Sequence, residues 1–573
     1  MLDLLIRNGQ VVDGSGEPAR GGDIAIKDGR IAEIGRITEP ARRTIDADGR
    51  VVSPGFVDVH THYDAQVFWD PKLSPSCYHG VTTVFGGNCG FSIAPLSEEA
   101  APYLLRMLAR VEGMPEVSLK AGVPWDWESF SDYLAKIEGR VGLNAGFMCG
   151  HSAIRRVAMG ERAVGFTATP AELAAMKALL AESLRAGAMG FSSTVSISHN
   201  DAEGQPVPSR HADREELITL AGVCREFPGT SLEIIPGVEA FGEYEMSLMA
   251  DMAAAADRTV NWNVLGVQRG NEAYVENQLS ASDYARSRGG RVVALASVTS
   301  PALRLNFRSG FVFDMLDGWT DVFKLPVDQR IALLKDPARR LELDRRGRSE
   351  ASGAMRRVAR WEGYLVGASR SKDLEGRSIA EIAAERNQPP LDVMLDIAAA
   401  EELRTVFVLP SAVDDDVWRR RADLWRDERT VVGASDAGAH RDMIDTFAFS
   451  THLLAAARDR NLLSLEEAVR LLTAKPAALL GLKQRGILQP GWHADIAVFD
   501  PAAVGATAPY ARNDLPCEEM RIYADAVGVS HVVVNGVPIV EDGAHTGALP
   551  GVVLRSGRDT ATGAGRRASA AIA

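Results

Sequence analysis

From Phe56 to about residue 475, short apolar runs alternate with amphipathic stretches. No other feature of the chain restricts its fold so strongly. The runs are 56–61, 80–87, 142–149, 187–194, 230–236, 258–265, 290–297, 403–409 and 429–435. They are nearly continuous in apolar and small residues, as strands buried on both faces are. Helix-length segments lie between them, among them 170–186, 213–226 and 244–256. Such strands, separated by helices, build a parallel sheet covered on both sides. The expected fold class is therefore α/β, with a (β/α)8 TIM barrel over 56–475. A barrel of this kind needs eight strands, and nine runs are present. The run 403–409 is the one set aside. Residues of about 300–375 interrupt the alternation with a charged stretch. A connection that long inside a compact domain is a lid or an insertion, and a helical insertion near the active site is expected.

Both chain ends have β character. Residues 1–55 alternate apolar and polar side chains between Asn-Gly, Gly-Gly and Asp-Gly turns, and residues 476–548 do so around Asn535-Gly536. The two segments are expected to pack as one small β-sandwich. The tail, 549–573, ends in a Gly-, Ala-, Ser- and Arg-rich stretch from 556 onward, expected to be poorly ordered unless it docks.

Charge and cysteine usage narrow the function classes. The net charge of −13 leaves no basic excess to neutralise a phosphate backbone, so no nucleic-acid partner is expected. No run reaches the ~18 apolar residues of a membrane span, and Asp3 breaks the first apolar run before it could serve as a signal peptide. Five scattered cysteines do not make a disulfide framework. These features fit a cytoplasmic enzyme with a small-molecule substrate, and they leave a homo-oligomer open.

The chemistry concentrates where barrel enzymes keep theirs, at the C-terminal ends of strands. His60 and His62 end the first run in VDVHTH. Residues i and i+2 of a strand face the same side, so the two imidazoles point together, as metal ligands must. Cys89 lies in Gly86-Gly87-Asn88-Cys89-Gly90, where glycines let a thiol approach an ion closely. Asp436 ends the last run. It suits a general base or a metal ligand, and equally a helix N-cap.

The blocks LLIRNGQVVDGSG, VVSPGFVDVHTHYD, GVTTVFGGNCGFSIAP, GHSAIRRVAMG, AGAMGFSST, VVGASDAG and KPAALLGLKQRGILQPGWHADIAVFD resemble the metal-dependent amidohydrolase superfamily. Within it they are most similar to the D-aminoacylase (N-acyl-D-amino-acid deacylase) family. The resemblance implies a distorted form of that TIM barrel, zinc-dependent hydrolysis of an amide, Cys89 as a zinc ligand and Asp436 as the catalytic aspartate after the last barrel strand. It also implies histidines at the ends of the fifth and sixth strands, and there the chain departs from the pattern. The fifth run reads TSLEIIPGVEAF and the sixth TVNWNVLGVQRG, with Asn261 and Asn263. The expected ligand set is thus His60, His62, Cys89 and Asp436, holding one divalent ion, zinc by preference, rather than two.

Other residues are expected on the catalytic face as substrate contacts. His151 follows the third run, His199 and His211 flank a loop after the fourth, and His440 lies four residues past Asp436. Arg308, in the insertion, is a candidate carboxylate binder. The leading functional expectation is hydrolysis of an N-acyl amino acid or related amide. Cyclic-amide hydrolysis, lactone hydrolysis and deamination on the same scaffold are alternatives, as is a non-catalytic binding protein.

Overall fold

The computed structural model describes residues 1–562 except 300, 301, 311 and 412. Eight parallel strands follow one another along the chain. They are Phe56–Asp58, Val81–Gly86, Asn144–Phe147 (resuming past Met148 as Cys149–Gly150), Gly190–Thr194, Ser231–Ile235, Val260–Leu265, Val292–Ala296 and Thr430–Val432. The first three form one sheet, and Cys149–Gly150 through Thr430–Val432 form a second. The third strand spans both, because Met148 N donates to Gly86 O (2.9 Å) and Met189 N donates to Phe147 O (2.8 Å). At the opposite side the chain just past the first and eighth strands meets. Thr61 and Ala437 make a parallel bridge, His62 N donates to Ala437 O (2.8 Å) and Asp436 N to His60 O (3.2 Å). Val57, Phe85, Met148, Met189, Val293, Leu295 and Val431 pack against one another between the strands.

The connecting helices begin and end where their sequences dictate. Pro170–Ala186 starts at Thr169, whose hydroxyl accepts from Glu172 N while Glu172 returns a bond to the Thr169 amide. It stops at Gly187, whose φ of 113° an L side chain seldom adopts. Arg214–Val223 and Glu243–Ala256 occupy the next two intervals.

The run set aside does lie elsewhere. Val406–Leu409 pairs antiparallel with Leu303–Leu305 and with Leu365–Ala368. Around this small sheet Phe307, Phe313, Trp319, Trp361, Tyr364 and Phe407 form a separate apolar core, which Met443 and Ile444 join. The inserted unit therefore extends well past residue 375 and is not purely helical. Its sheet is completed by a strand about a hundred residues beyond Leu303, a pairing that no local pattern announces.

Both chain ends contribute to one nine-stranded sheet. Val51–Pro54 lies between Ile496–Phe499, antiparallel, and Leu2–Val11, parallel. Asp495 ties this sheet to the parallel strands: it accepts from Asn144 Nδ2 (3.1 Å) and pairs with buried Arg485. Part of the tail is docked, with Leu554 fully buried and Ala561 N donating to Gly481 O (2.7 Å). Residues 563–573, where the rest of the expected loose tail falls, lie outside the described residues. Among the described residues no helix is long and apolar enough to cross a membrane, and all five cysteines are free.

Candidate active site

The first strand delivers two imidazoles to one point. Thr61 faces away, with both its N and Oγ1 donating to Phe85 O at 2.8 Å. His60 and His62 consequently turn together, and both are buried. The Nε2 atoms lie 3.4 Å (His60) and 3.8 Å (His62) from Cys89 Sγ. These three ligand atoms all fall within 4.8 Å of one another.

The turn carrying Cys89 is pinned at nearly every residue. Gly87 has φ 74°, and a Cβ there would lie 2.3 Å from Met148 O; no other residue fits that approach. Gly87 N donates to Asp64 Oδ2 (2.9 Å). Asn88 Nδ2 donates to Thr61 O (3.1 Å) and Phe85 O (2.9 Å). Cys89 N donates to Glu233 Oε2 (2.7 Å) and Gly90 N to Ser192 Oγ (3.1 Å).

Asp436 arrives from the eighth strand. Ala434 and Asp436 both take positive φ, 56° and 58°, so the chain turns sharply over the site. Between them Ser435 Oγ donates to Asp58 Oδ2 (2.5 Å). Asp436 Oδ1 lies 3.1 Å from His62 Nε2 and 3.4 Å from His60 Nε2, and Oδ2 lies 3.6 Å from His440 Nε2. The carboxylate thus stands on the histidine side of the cluster.

Charge is concentrated here. Burial opposes the negative charge on Asp436, but the hydrogen bonds of His60 and His62 and the charges of His62 and His440 outweigh it and hold its carboxyl well below the ordinary range. Burial pushes Asp58, Asp64 and Glu233 each up to about 7. It also raises Glu112, reinforced by the nearby charges of Asp436, Asp64 and Glu233. Glu112 Oε1 is 3.4 Å from His62 Nδ1, without the alignment of a hydrogen bond. Five carboxylates around two imidazoles and a thiol form a setting that a divalent cation complements.

The donor atoms fit such an ion. With Zn–N near 2.0–2.1 Å and Zn–S near 2.3 Å, the edges of a tetrahedral site come to about 3.3–3.6 Å. The His60–Cys89 and His60–Asp436 separations, both 3.4 Å, match, and those of His62, 3.8 Å to Cys89 and 3.1 Å to Asp436, lie close by; Asp436 stands outside the group of three that lies within 4.8 Å. Imidazole, thiolate and carboxylate together suit zinc.

The other sequence candidates are placed as follows. His199 Nδ1 bonds Thr194 Oγ1 (2.9 Å) and its ring packs on Phe91. Burial, together with the charges of His440 and His62, holds its pKa down to about 3. His151 is fully buried in a different network, bonded to Ser193 Oγ (2.9 Å) and Glu216 Oε1 (2.8 Å). His211 Nε2 bonds Pro206 O (3.1 Å). Arg308 lies exposed on the inserted unit, donating to Glu402 O (3.4 Å).

Sequence reasoning missed Glu233 and Glu112. Glu233 is the lone acid in the apolar run SLEII and is fully buried; a charge inside such a run was the available signal. Glu112 follows helix Ala101–Val111, and nothing in its surroundings marks it.

A family model described as "Amidohydrolase family" matches residues 43–540. The chain belongs to the amidohydrolase family. A D-aminoacylase of Alcaligenes xylosoxydans xylosoxydans is 30% identical over 561 residues, covering 96% of this chain and 97% of that one. An N-acyl-D-aspartate deacylase of the same organism is 31% identical over 567 residues, covering 97% and 95%. Among solved structures, a crystal structure of D-aminoacylase aligns with TM-score 0.66 at 28% identity, over 97% of this chain and all of the other. An N-acyl-D-glutamate deacylase from Bordetella bronchiseptica, complexed with zinc and a phosphonate mimic of the tetrahedral intermediate, aligns with TM-score 0.63 at 26% identity, covering 97% and 99%.

Proposed function

We propose that the cluster of His60, His62, Cys89 and Asp436 is the hydrolytic centre of this amidohydrolase, and that its substrate is an N-acyl-D-amino acid. The chain is a metal-dependent hydrolase of carbon–nitrogen amide bonds. The observation that carries the assignment of the site is the convergence of three ligand atoms from two strand ends within 4.8 Å, beside a carboxylate from a third. His60, His62 and Cys89 would hold one divalent ion, zinc by preference, with Asp436 on the histidine side of the set. An ion bound by these residues would supply Lewis-acid chemistry, polarisation of the amide carbonyl and activation of a water near neutral pH.

Asp436 is the proton carrier. Oδ1 is engaged with both imidazoles, while Oδ2 faces His440 and is free to take a proton from the attacking water. The same oxygen then returns the proton to the leaving nitrogen. A base held below the ordinary carboxylate range is ionised at neutral pH, as this role requires. His440 stands beside that oxygen, and it and His199 would contact the substrate. The eight parallel strands close into a barrel, with 303–409 as an inserted unit and the two chain ends as a separate β-domain. Full-length coverage of the deacylase relatives supports an N-acyl-D-amino acid as substrate.

The test compares Asp436→Asn with the parent on N-acetyl-D- and N-acetyl-L-amino acids. Loss of about 10²–10⁴-fold in kcat, the usual share of a general acid–base residue, is expected, with the fold and D-preference of the parent intact. An unchanged rate removes Asp436 from the reaction, and an L-preference removes the proposed substrate.

A further inference from the structure

Cys89 has φ 58°, a conformation that a residue with a Cβ seldom holds unaided. Its amide is tied to a carboxylate. Glu233 is fully buried in the middle of the fifth strand, and its Oε2 accepts from Cys89 N at 2.7 Å. Its other oxygen, Oε1, accepts from Asn263 Nδ2 on the sixth strand. Asn263 Oδ1 is buried without a hydrogen-bond partner. The two strands that bring no histidine to the site thus bring a carboxylate and an amide that grip the turn around the cysteine.

We propose that Glu233 is a positioning residue that fixes the Cys89 sulfur for the metal, with Asn263 as its brace. This rests on Cys89 being a ligand. Both carboxylate oxygens accept from N–H donors, and Oε2 takes its donor from Cys89 itself, so the contact Glu233 makes with the ligand set runs through the cysteine amide. Its role is geometric: an acceptor must stand at the position of Oε2.

That reasoning ranks substitutions differently from any role based on charge. In Glu233→Gln the side-chain oxygen still accepts from Cys89 N, and the new NH2 group meets Asn263 Oδ1 once the Asn263 amide turns over. In Glu233→Asp the charge survives, but the acceptor falls a methylene short. The experiment uses full-length protein exchanged with cobalt(II). It reads the sulfur-to-cobalt charge-transfer band, retention of metal against a chelator, and kcat and KM separately. Gln is expected to keep the band and the metal. Asp and Ala are expected to weaken the band, hold metal about 10–100-fold less tightly and lower kcat more than they raise KM. Asn263→Ala, which leaves the Cys89 contact in place, is expected to fall between. If Asp matches or exceeds Gln, or if both Asp and Asn263→Ala behave as wild type, the inference is wrong. A wild-type spectrum already lacking the band, and identical to that of Cys89→Ser, would instead overturn Cys89 as a ligand. The two failures are therefore separable.

Discussion

Substituting Gln for Glu216 decides whether His151 serves the fold or the reaction. His151 and Arg155 lie on helix His151–Met159, and Glu216 on helix Arg214–Val223. Arg155 and His151 are completely buried. Arg155 Nη1 reaches both Glu216 oxygens at 2.5 Å, Nη2 donates to Phe166 O (2.7 Å), and His151 Nε2 lies 2.8 Å from Oε1. Gln preserves the shape but leaves the guanidinium buried with no anion, which costs about 3–5 kcal/mol. Arg155→Met leaves the carboxylate short of its strongest partner and is expected to cost a similar amount. The double variant removes both charges together. Its loss should fall below the sum of the single losses by about 0.5–3 kcal/mol. Urea unfolding at neutral pH reads the stabilities, and kcat and KM are measured on the same preparations below the transition. Lower unfolding midpoints with kcat within a few-fold of wild type would place His151 in a structural network. A hundredfold loss of kcat at an unchanged midpoint would refute this reasoning and return His151 to the substrate. So would single effects that simply add.

The same network sets an acid limit. Burial disfavours the charge on Glu216, but the His151 hydrogen bond and the His151 and Arg155 charges overcome this and hold its carboxyl below the ordinary range. With a folded value below the unfolded one, this stabilisation is complete above the ordinary glutamate range and is lost as pH falls through the folded value; acid unfolding of Glu216→Gln should accordingly be shallower than that of wild type. Dialysis against a chelator should abolish hydrolysis, and zinc, manganese or cobalt should restore it; full activity in protein that elemental analysis finds metal-free contradicts the proposed centre. Gly87→Ala places an L residue at φ 74°, for about 1–2 kcal/mol, and drives the turn off Met148 O, so metal content per chain should drop; full metal content would show that the turn yields elsewhere. Trp319→Ala empties a fully buried position of the second core at about 3–5 kcal/mol, and limited proteolysis should then cut within 303–409 first; first cuts among the parallel strands would show that the two cores unfold as one.

The parallel strands were legible because burial on both faces leaves nearly unbroken apolar runs, and each of the eight was found within a few residues of its bounds. The pair His60–His62 was legible because strand parity alone aims both imidazoles one way. Cys89 stood out as a candidate ligand in its glycine-rich turn, whereas position alone left Asp436 open between ligand, base and helix N-cap, and the resemblance supplied the role proposed for it. Glu233 could not be given a role, since its meaning lies in Cys89 N, 144 residues away. Glu112 reaches His62 only because the helix before it folds back over the site. The extent of the inserted unit was hidden for the same reason: Leu303 pairs with Leu409, and sequence patterns report neighbours along the chain rather than partners across it.

The nine-stranded sheet has a consequence for how the chain is made. Val51–Pro54 leaves the ribosome well before the strand that covers one of its edges, Ile496–Phe499, which lies roughly 440 residues later. At about 5–20 residues per second, synthesis takes roughly 20–90 s to deliver it. For that interval a strand edge with its amides and carbonyls unsatisfied waits on the nascent chain, open to pairing with the same edge on a neighbouring polysome-bound copy. The parallel strands that carry the site, whose partners come mostly from adjacent segments, can assemble meanwhile. Ile496–Phe499 reaches the sheet only after every parallel strand has been made, so a chain terminated between residues 437 and 495 keeps every residue of the metal cluster and still exposes an adhesive edge.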